Sequence, residues 1–146
     1  PLYFTQIKWV GVIDFIYFTN EESLLGTWQL QSYREEQDSS RSEYPSFVKY
    51  MKSITPTHFI WVKYNGEGDE VMAAGSGTYG YETGKYTENI EMIYPPGANQ
   101  VGTSVAFSAD FQEDGDWIHK GHILKTDAEN PAVVVDSLLI DEVWHK

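Results

Sequence analysis

The sequence predicts an all-β protein, and three features of its 146 residues support this fold class. Aromatic residues make up 15% of the chain, including ten Tyr and five Trp, and such residues are enriched in strands. Turn-forming sequences recur at roughly ten- to fifteen-residue intervals, a spacing typical of sandwiches and barrels. Short segments rich in Val, Ile, Thr, Tyr, Phe and Trp lie between these turns. A chain of this length fits one domain of ordinary size.

Eight such segments are predicted to be strands. Their predicted bounds are Thr27–Arg34, Phe47–Ser53, Thr57–Tyr64, Val71–Tyr81, Tyr86–Tyr94, Val101–Phe111, Asp116–Lys125 and Val133–His145. Short connections favour antiparallel neighbours, and eight such strands can close into an up-and-down barrel without exposed edges. The interior of an eight-stranded barrel either fills with side chains or holds one small ligand.

Alternation along the sixth and seventh strands predicts which side chains face the interior. On the sixth strand the inward set is Val101, Thr103, Val105, Phe107 and Phe111. A three-residue turn over Glu113-Asp114-Gly115 gives the inward set Trp117, His119, Gly121 and Ile123 on the seventh, whereas a two-residue turn gives Ile118, Lys120 and His122. We favour the first register, because an unpaired Lys120 ammonium in the core would be costly.

The fifth strand places one carboxylate on an otherwise apolar face. Its predicted inward set is Tyr86, Glu88, Ile90, Met92 and Tyr94. We expect Glu88 to accept a hydrogen bond from a buried Tyr hydroxyl, with Tyr79 as the candidate donor, or to orient a ligand. Glycines in Gly75-Ser76-Gly77 are expected to relieve crowding where the fourth strand bends.

Charge and composition exclude several classes of partner. Ten Lys and Arg against 22 Asp and Glu give a net charge of −12, which disfavours nucleic acid and anionic membrane surfaces. The absence of cysteine excludes disulfides, thiolate metal sites and cysteine nucleophiles. No membrane span is predicted, because the longest apolar segment, Ile7 to Phe18, is interrupted by Asp14 and falls short of the ~18 to 20 residues required.

Residues 1–23 form an N-terminal arm in the predicted domain organisation, and residues 24–146 form the barrel. In the arm, apolar residues alternate with Lys8 and Asp14 in a strand pattern: Ile7, Trp9, Ile13, Phe15 and Tyr17. The arm is interpreted either as a strap packed on the barrel or as a strand that pairs with a neighbouring subunit. The second interpretation predicts a homo-oligomer through residues 1–20.

Several segments in order along the chain carry a family resemblance. They are Leu25-Gly26-Thr27-Trp28-Gln29-Leu30, Thr57-His58-Phe59-Ile60-Trp61, Gly75-Ser76-Gly77-Thr78-Tyr79, Tyr86-Thr87-Glu88-Asn89-Ile90-Glu91, Trp117-Ile118-His119-Lys120-Gly121 and Glu142-Val143-Trp144. Together they resemble a family of bacterial lipocalin-like domains, mostly of unassigned function and often exported. The resemblance implies a calycin-type barrel over residues 24–146 with a possible internal cavity, and it implies an exported protein.

The resemblance also has departures. The lipocalin loop signature Thr-Asp-x-Tyr is absent, and Glu113-Asp114-Gly115-Asp116 stands in its place. Lipocalins typically cover the first-strand Trp with an Arg from the last strand, whereas here His145 and Lys146 are the candidates to cover Trp28. We expect Trp28 to plug one end of the barrel, beneath the final strand.

Candidate site residues come from polar and aromatic side chains on inward faces. The ligand-binding candidates are Trp61, Tyr79, Glu88, Trp117 and His119. No metal site is predicted, because His119 and His122 point to opposite faces of their strand. Glu88 and Glu91 likewise point to opposite faces, which excludes the paired carboxylates of a glycosidase. No cofactor is predicted.

Two functional classes follow, and a third is weaker. The first is a small-molecule-binding barrel whose apolar cavity takes an apolar or aromatic ligand, oriented by a few polar groups. The alternative is a non-catalytic structural or interaction module with a filled barrel, which associates through its N-terminal arm. An enzyme has the least support, because no nucleophile, metal set or cofactor loop passes the geometric checks.

Overall fold

The computed structural model describes residues 24–96 and 100–146, and all eight regular elements in these ranges are strands. They are β1 (Gly26–Tyr33), β2 (Val48–Ile54), β3 (His58–Asn65), β4 (Val71–Glu82), β5 (Lys85–Tyr94), β6 (Ser104–Phe111), β7 (Trp117–Thr126) and β8 (Val134–His145). Each strand pairs antiparallel with the next, and β8 pairs with β1 to close the barrel. The predicted all-β, eight-stranded up-and-down barrel is confirmed, and the predicted arm strand lies outside the described residues.

Predicted and observed strand ends agree within one residue everywhere except at the start of β6. There, Val101 to Thr103 form a turn in which Gly102 has a φ of +84°, and the strand begins at Ser104. Val101 and Thr103, predicted to face inward, are exposed. Their placement was wrong because the turn ends the alternation before it reaches them. Within the described ranges, no helix has the length and apolar character required to cross a membrane.

The hairpin between β6 and β7 has the predicted register. Phe111 pairs with Trp117 and Ala109 with His119. The Gln112 backbone N–H donates to the Asp116 carbonyl at 2.8 Å, which encloses a three-residue loop. Gly115 ends that loop with a φ of +93°, a conformation that favours glycine. This turn directs Trp117 and His119 inward and Lys120 outward.

A β-bulge in β5 changes the inward set that was predicted for this strand. Ser76 pairs with Met92 and Gly77 with Ile90, so Glu91 is an extra residue. The alternation is therefore inverted beyond Ile90, and the prediction that Met92 and Tyr94 face inward was wrong: both are exposed, and Ile93 packs against the core instead. A Cβ at Gly77 would lie 1.9 Å from the Asn89 carbonyl oxygen, so glycine permits this close approach, as predicted.

Aromatic side chains fill the base of the barrel, the end at which β1 begins and β8 ends. The largest fully buried side chains include Trp28, Trp117, Trp144, Tyr86 and Phe59. The Lys146 Nζ lies 4.7 Å from the centroid of the Trp28 ring, while His145 Nδ1 contacts Asp116 Oδ1 at 2.6 Å. Of the two candidates to cover Trp28, Lys146 therefore occupies the position. We call the opposite end of the barrel the mouth.

Candidate functional site

Four ionisable side chains from four strands meet inside the barrel, and we call them the inner polar cluster. They are Lys52 on β2, Glu88 on β5, His119 on β7 and Glu142 on β8, with exposures of 2, 4, 2 and 8%. Alternation places them inward. Lys52 lies between Tyr50 and Ile54 on one face of β2, and Glu142 lies two residues before the buried Trp144 on β8.

A buried ion pair is at the centre of this cluster. The Lys52 Nζ donates to Glu88 Oε1 at 2.8 Å. The same ammonium lies 5.2 Å from the Trp144 ring centroid and 5.3 Å from that of Trp117, within the range of cation–π attraction. Carboxylate and aromatic faces therefore replace the water that Lys52 loses on burial.

His119 is held as a neutral imidazole. Its ring stacks on Trp117 at 4.9 Å, and its Nδ1 lies 3.4 Å from the Lys52 Nζ. Burial lowers the pKa of His119 well below its usual range, and the positive charge of Lys52 lowers it further, against a smaller opposing effect of Glu88. Lys52 can only donate, so its contact with Nδ1 favours the tautomer whose proton is on Nε2, whereas the Glu142 Oε2 at 3.5 Å from the same nitrogen favours a proton on Nδ1.

Glu142 completes the cluster and connects it to the aromatic wall. Its Oε2 accepts a hydrogen bond from Trp144 Nε1 at 3.0 Å and lies 3.5 Å from His119 Nδ1. Burial raises the pKa of Glu142, while Lys52 and the Trp144 hydrogen bond act in the opposite direction. Burial also raises the pKa of Tyr50, and the charge of Glu142 raises it further. Tyr50 therefore stays protonated and can donate a hydrogen bond.

The cluster has unused hydrogen-bonding capacity. Among the described residues, three buried polar atoms lack a hydrogen-bond partner: Tyr86 Oη, Trp117 Nε1 and His119 Nε2. Burial raises the pKa of Tyr86 and the nearby Glu88 raises it further, although their contact does not meet ordinary hydrogen-bond geometry. Trp117 Nε1 can only donate, and His119 Nε2 donates in the tautomer that the Lys52 contact favours. Buried polar groups are normally partnered, so an excess of donors inside a barrel is notable.

The structure brings three of the five predicted ligand-binding residues into contact: Glu88 and His119 belong to the cluster, and Trp117 stacks on His119. Trp61 is half-buried on the inward face of β3, directly opposite Lys52 in the strand register. Its ring covers Gly75, where a Cβ would lie 2.6 Å from the indole. The role of these residues in ligand binding remains a prediction.

The predicted hydrogen bond between Tyr79 and Glu88 was wrong. The Tyr79 hydroxyl donates to the Thr55 carbonyl at 2.8 Å, and Lys52 is the donor that Glu88 accepts from. Sequence reasoning missed Lys52 and Glu142. A signal for both was present in the alternation, because Lys52 lies between Tyr50 and Ile54, and Glu142 between Ile140 and Trp144, on inward faces.

A clamped loop lies beside the mouth. It joins β1 to β2, and its Arg34 and Arg41 both pair with Asp141 on the outer face of β8. Burial alone would raise the pKa of Asp141, but hydrogen bonds from Arg41 and Arg34 and their charges lower it. In the same loop, Tyr44 lies 6.4 Å from Tyr50, between ring centroids. The clamp therefore holds an aromatic side chain next to the inward face of β2.

No protein-family model and no curated protein matches this chain. The closed eight-stranded barrel is compatible with the calycin-type fold that the resemblance implies. Across residues 24–96 and 100–146, no group of three His, Asp or Glu side chains is arranged to hold a metal ion. The function is therefore argued from the inner polar cluster and the surfaces that lead to it.

The neutral state of His119 makes stability depend on pH. The unfolded chain takes up a proton near pH 6.5, whereas the folded pKa of His119 lies well below that value. We expect this residue to contribute stability that is present above pH 6.5 and lost as the pH falls, by up to about 1.4 kcal/mol per pH unit. Urea unfolding of the wild type and of His119→Gln between pH 7.5 and 5 measures that slope.

The matched control is His58→Gln, since His58 is exposed. This control should retain the wild-type slope, and His119→Gln should reduce it. Equal slopes for the wild type and His119→Gln would contradict a buried neutral imidazole.

Proposed function

We propose that this protein binds a small amphipathic molecule inside its barrel, with an apolar or aromatic body near the mouth and a polar group directed at the inner polar cluster. The observation that carries the proposal is the cluster itself, a set of charged groups deep in a barrel with donors left unpartnered. Ligand sites are typically apolar surfaces with a few polar groups that fix orientation. The resemblance to exported lipocalin-like domains is consistent with this proposal, and export remains part of it.

The packing of the interior supports a ligand near the mouth rather than at the base. Indole and phenyl rings fill the base, and Trp28, Trp117 and Trp144 are almost fully buried. Towards the mouth the inward-facing side chains are half-buried, so they retain contact with solvent: Tyr50, Trp61, Ile93, Val105, Ile123 and Ile140. Tyr50 and Trp61, whose ring centroids are 5.8 Å apart, offer an aromatic surface beside the cluster.

The test uses the fluorescent probe 1-anilinonaphthalene-8-sulfonate, which has an aromatic body and an anionic end. We expect one molecule to bind per folded chain, and Trp61→Leu to weaken binding about tenfold, the effect of losing roughly 1.4 kcal/mol of ring contact. Fluorescence titration and native mass spectrometry measure affinity and stoichiometry. Ile60→Ala is the control, because Ile60 is the neighbouring residue and points outward.

Failure of the folded wild type to bind the probe would count against the proposal. So would equal binding by Trp61→Leu and the wild type. Retention of a small molecule by freshly purified protein, seen in the native mass spectrum, would identify the natural ligand directly.

A further inference from the structure

The barrel wall is split between β6 and β7 on the side of the mouth. The two strands pair only where Phe107–Phe111 faces Trp117–Gly121. Beyond that point, residues 104–106 pair with β5 and residues 122–126 pair with β8, and among the described residues no ladder joins the two segments. A cleft of about 370 Å³ lies between them, within the size range of small-molecule sites.

The cleft leads towards the inner polar cluster. Val105 and Ile123 line it and also pack against the core from the inward faces of their strands. Val105 pairs with Glu88 of the cluster across the strand register. Phe107, the next inward residue on β6, has its ring centroid 4.1 Å from that of His119. Apolar side chains of one layer therefore separate the cleft from the charged groups.

We propose that this cleft is a lateral binding site and entrance for an elongated ligand with an apolar body and an anionic, hydrogen-bond-accepting end, such as a carboxylate or sulfonate. The proposal rests on the function proposed above and adds the location and the chemical class of the ligand. The apolar body contacts Val105, Ile123 and Leu124, and the anionic end points to the inner polar cluster.

The unpartnered atoms of the cluster favour a ligand group that accepts hydrogen bonds. Glu88 already accepts from Lys52, and Glu142 accepts from Trp144. The atoms without a partner include Trp117 Nε1, which can only donate, and His119 Nε2, which donates in the tautomer that the Lys52 contact favours. The net charge of −12 and the second carboxylate of the cluster both repel an anion, so a preference for an anion must come from the unpartnered donors.

A matched pair of probes tests the chemical class. 1-Anilinonaphthalene-8-sulfonate and N-phenyl-1-naphthylamine share an aromatic body, and only the first has a sulfonate. We expect the sulfonate probe to bind about tenfold more tightly, the ratio that one additional charge-assisted hydrogen bond provides. Equal or tighter binding of the uncharged probe would overturn the anionic class.

An engineered disulfide tests whether the ligand enters at the cleft. The chain has no native cysteine, so the introduced pair has no other thiol in the chain to react with. Ser104 on β6 and Leu124 on β7 line opposite edges of the cleft, so a disulfide between Ser104→Cys and Leu124→Cys draws these edges together. Ser108→Cys with Lys120→Cys is the control, because these residues are exposed and directly paired below the cleft. We expect oxidation to slow association of the sulfonate probe at least tenfold in the first variant and to leave the control unchanged, with reductant restoring the rate.

A second variant removes the dependence on disulfide formation. Ala106 lines the cleft and is exposed, so Ala106→Trp places an indole in the cleft. Ser108→Trp is the control, because it adds the same ring on the part of β6 that pairs with β7. Only the first should slow association. If Trp61→Leu weakens binding while neither cleft variant alters the association rate, the lateral site is wrong and the function proposed above stands. If the folded wild type binds neither probe, both fail.

Discussion

Glu88→Ala is expected to lower the free energy of unfolding by about 3 to 5 kcal/mol, because it removes the carboxylate to which the buried Lys52 ammonium donates a hydrogen bond. Lys52 is 2% exposed, so its ammonium has little access to bulk water that could replace the carboxylate. The aromatic faces of Trp117 and Trp144 remain, but a cation–π contact contributes roughly 0.5 to 2 kcal/mol and cannot compensate fully. Urea unfolding followed by tryptophan fluorescence measures the change.

The double variant Lys52→Met/Glu88→Leu separates charge from packing. Replacing a buried ion pair by apolar residues of similar volume is often neutral or stabilising by about 1 to 4 kcal/mol, so the double variant should recover the stability that Glu88→Ala loses. Asp136→Ala is the control, since it breaks the exposed Lys125–Asp136 pair and should cost less than about 1 kcal/mol. If Glu88→Ala also cost less than about 1 kcal/mol, the result would contradict a buried ion pair between Lys52 and Glu88.

The barrel could be predicted from the sequence because the turn residues and the alternation of apolar and polar residues indicate the same strands. At the β6–β7 hairpin, Gly115 marks the turn, and of the two registers considered only the observed one keeps Lys120 out of the core. The β5 strand shows where this reasoning stops. Its bulge at Glu91 depends on the close approach of the β4 backbone at Gly77, and alternation alone does not show an inserted residue.

The candidate site was predictable in part. Glu88 and His119 were found because each is a polar residue on an apolar face. Lys52 was missed because the burial of a lysine was considered only for Lys120, where the cost of an unpaired ammonium correctly placed the side chain outside. What distinguishes the two lysines is the partner: Lys52 meets a carboxylate 36 residues away, on a strand that is not its neighbour. A charge is buried where tertiary structure brings its counter-charge, and a single sequence does not show that proximity.

Trp28→Ala is expected to lower the free energy of unfolding by about 3 to 5 kcal/mol, because it leaves a cavity at the base of the barrel. The indole is almost fully buried, its centroid lies 5.4 Å from that of Trp117, and its Nε1 donates to the Leu24 carbonyl at 2.7 Å. The substitution therefore removes aromatic packing and leaves the Leu24 carbonyl without this donor. Gly26, with a φ of +121°, gives the chain its turn into β1, so the surroundings have little freedom to collapse into the space.

Lys146→Ala provides the comparison, because Lys146 covers the Trp28 ring from the partly exposed side. A cation over a ring at such a position contributes roughly 1 kcal/mol or less, so this variant should remain close to the wild type. Urea unfolding of both variants under one condition gives the ranking. If Trp28→Ala left the free energy of unfolding almost unchanged while Lys146→Ala lowered it severely, the result would contradict the packing described for the base. An indole that can be removed without loss of stability does not hold the strands together at that end.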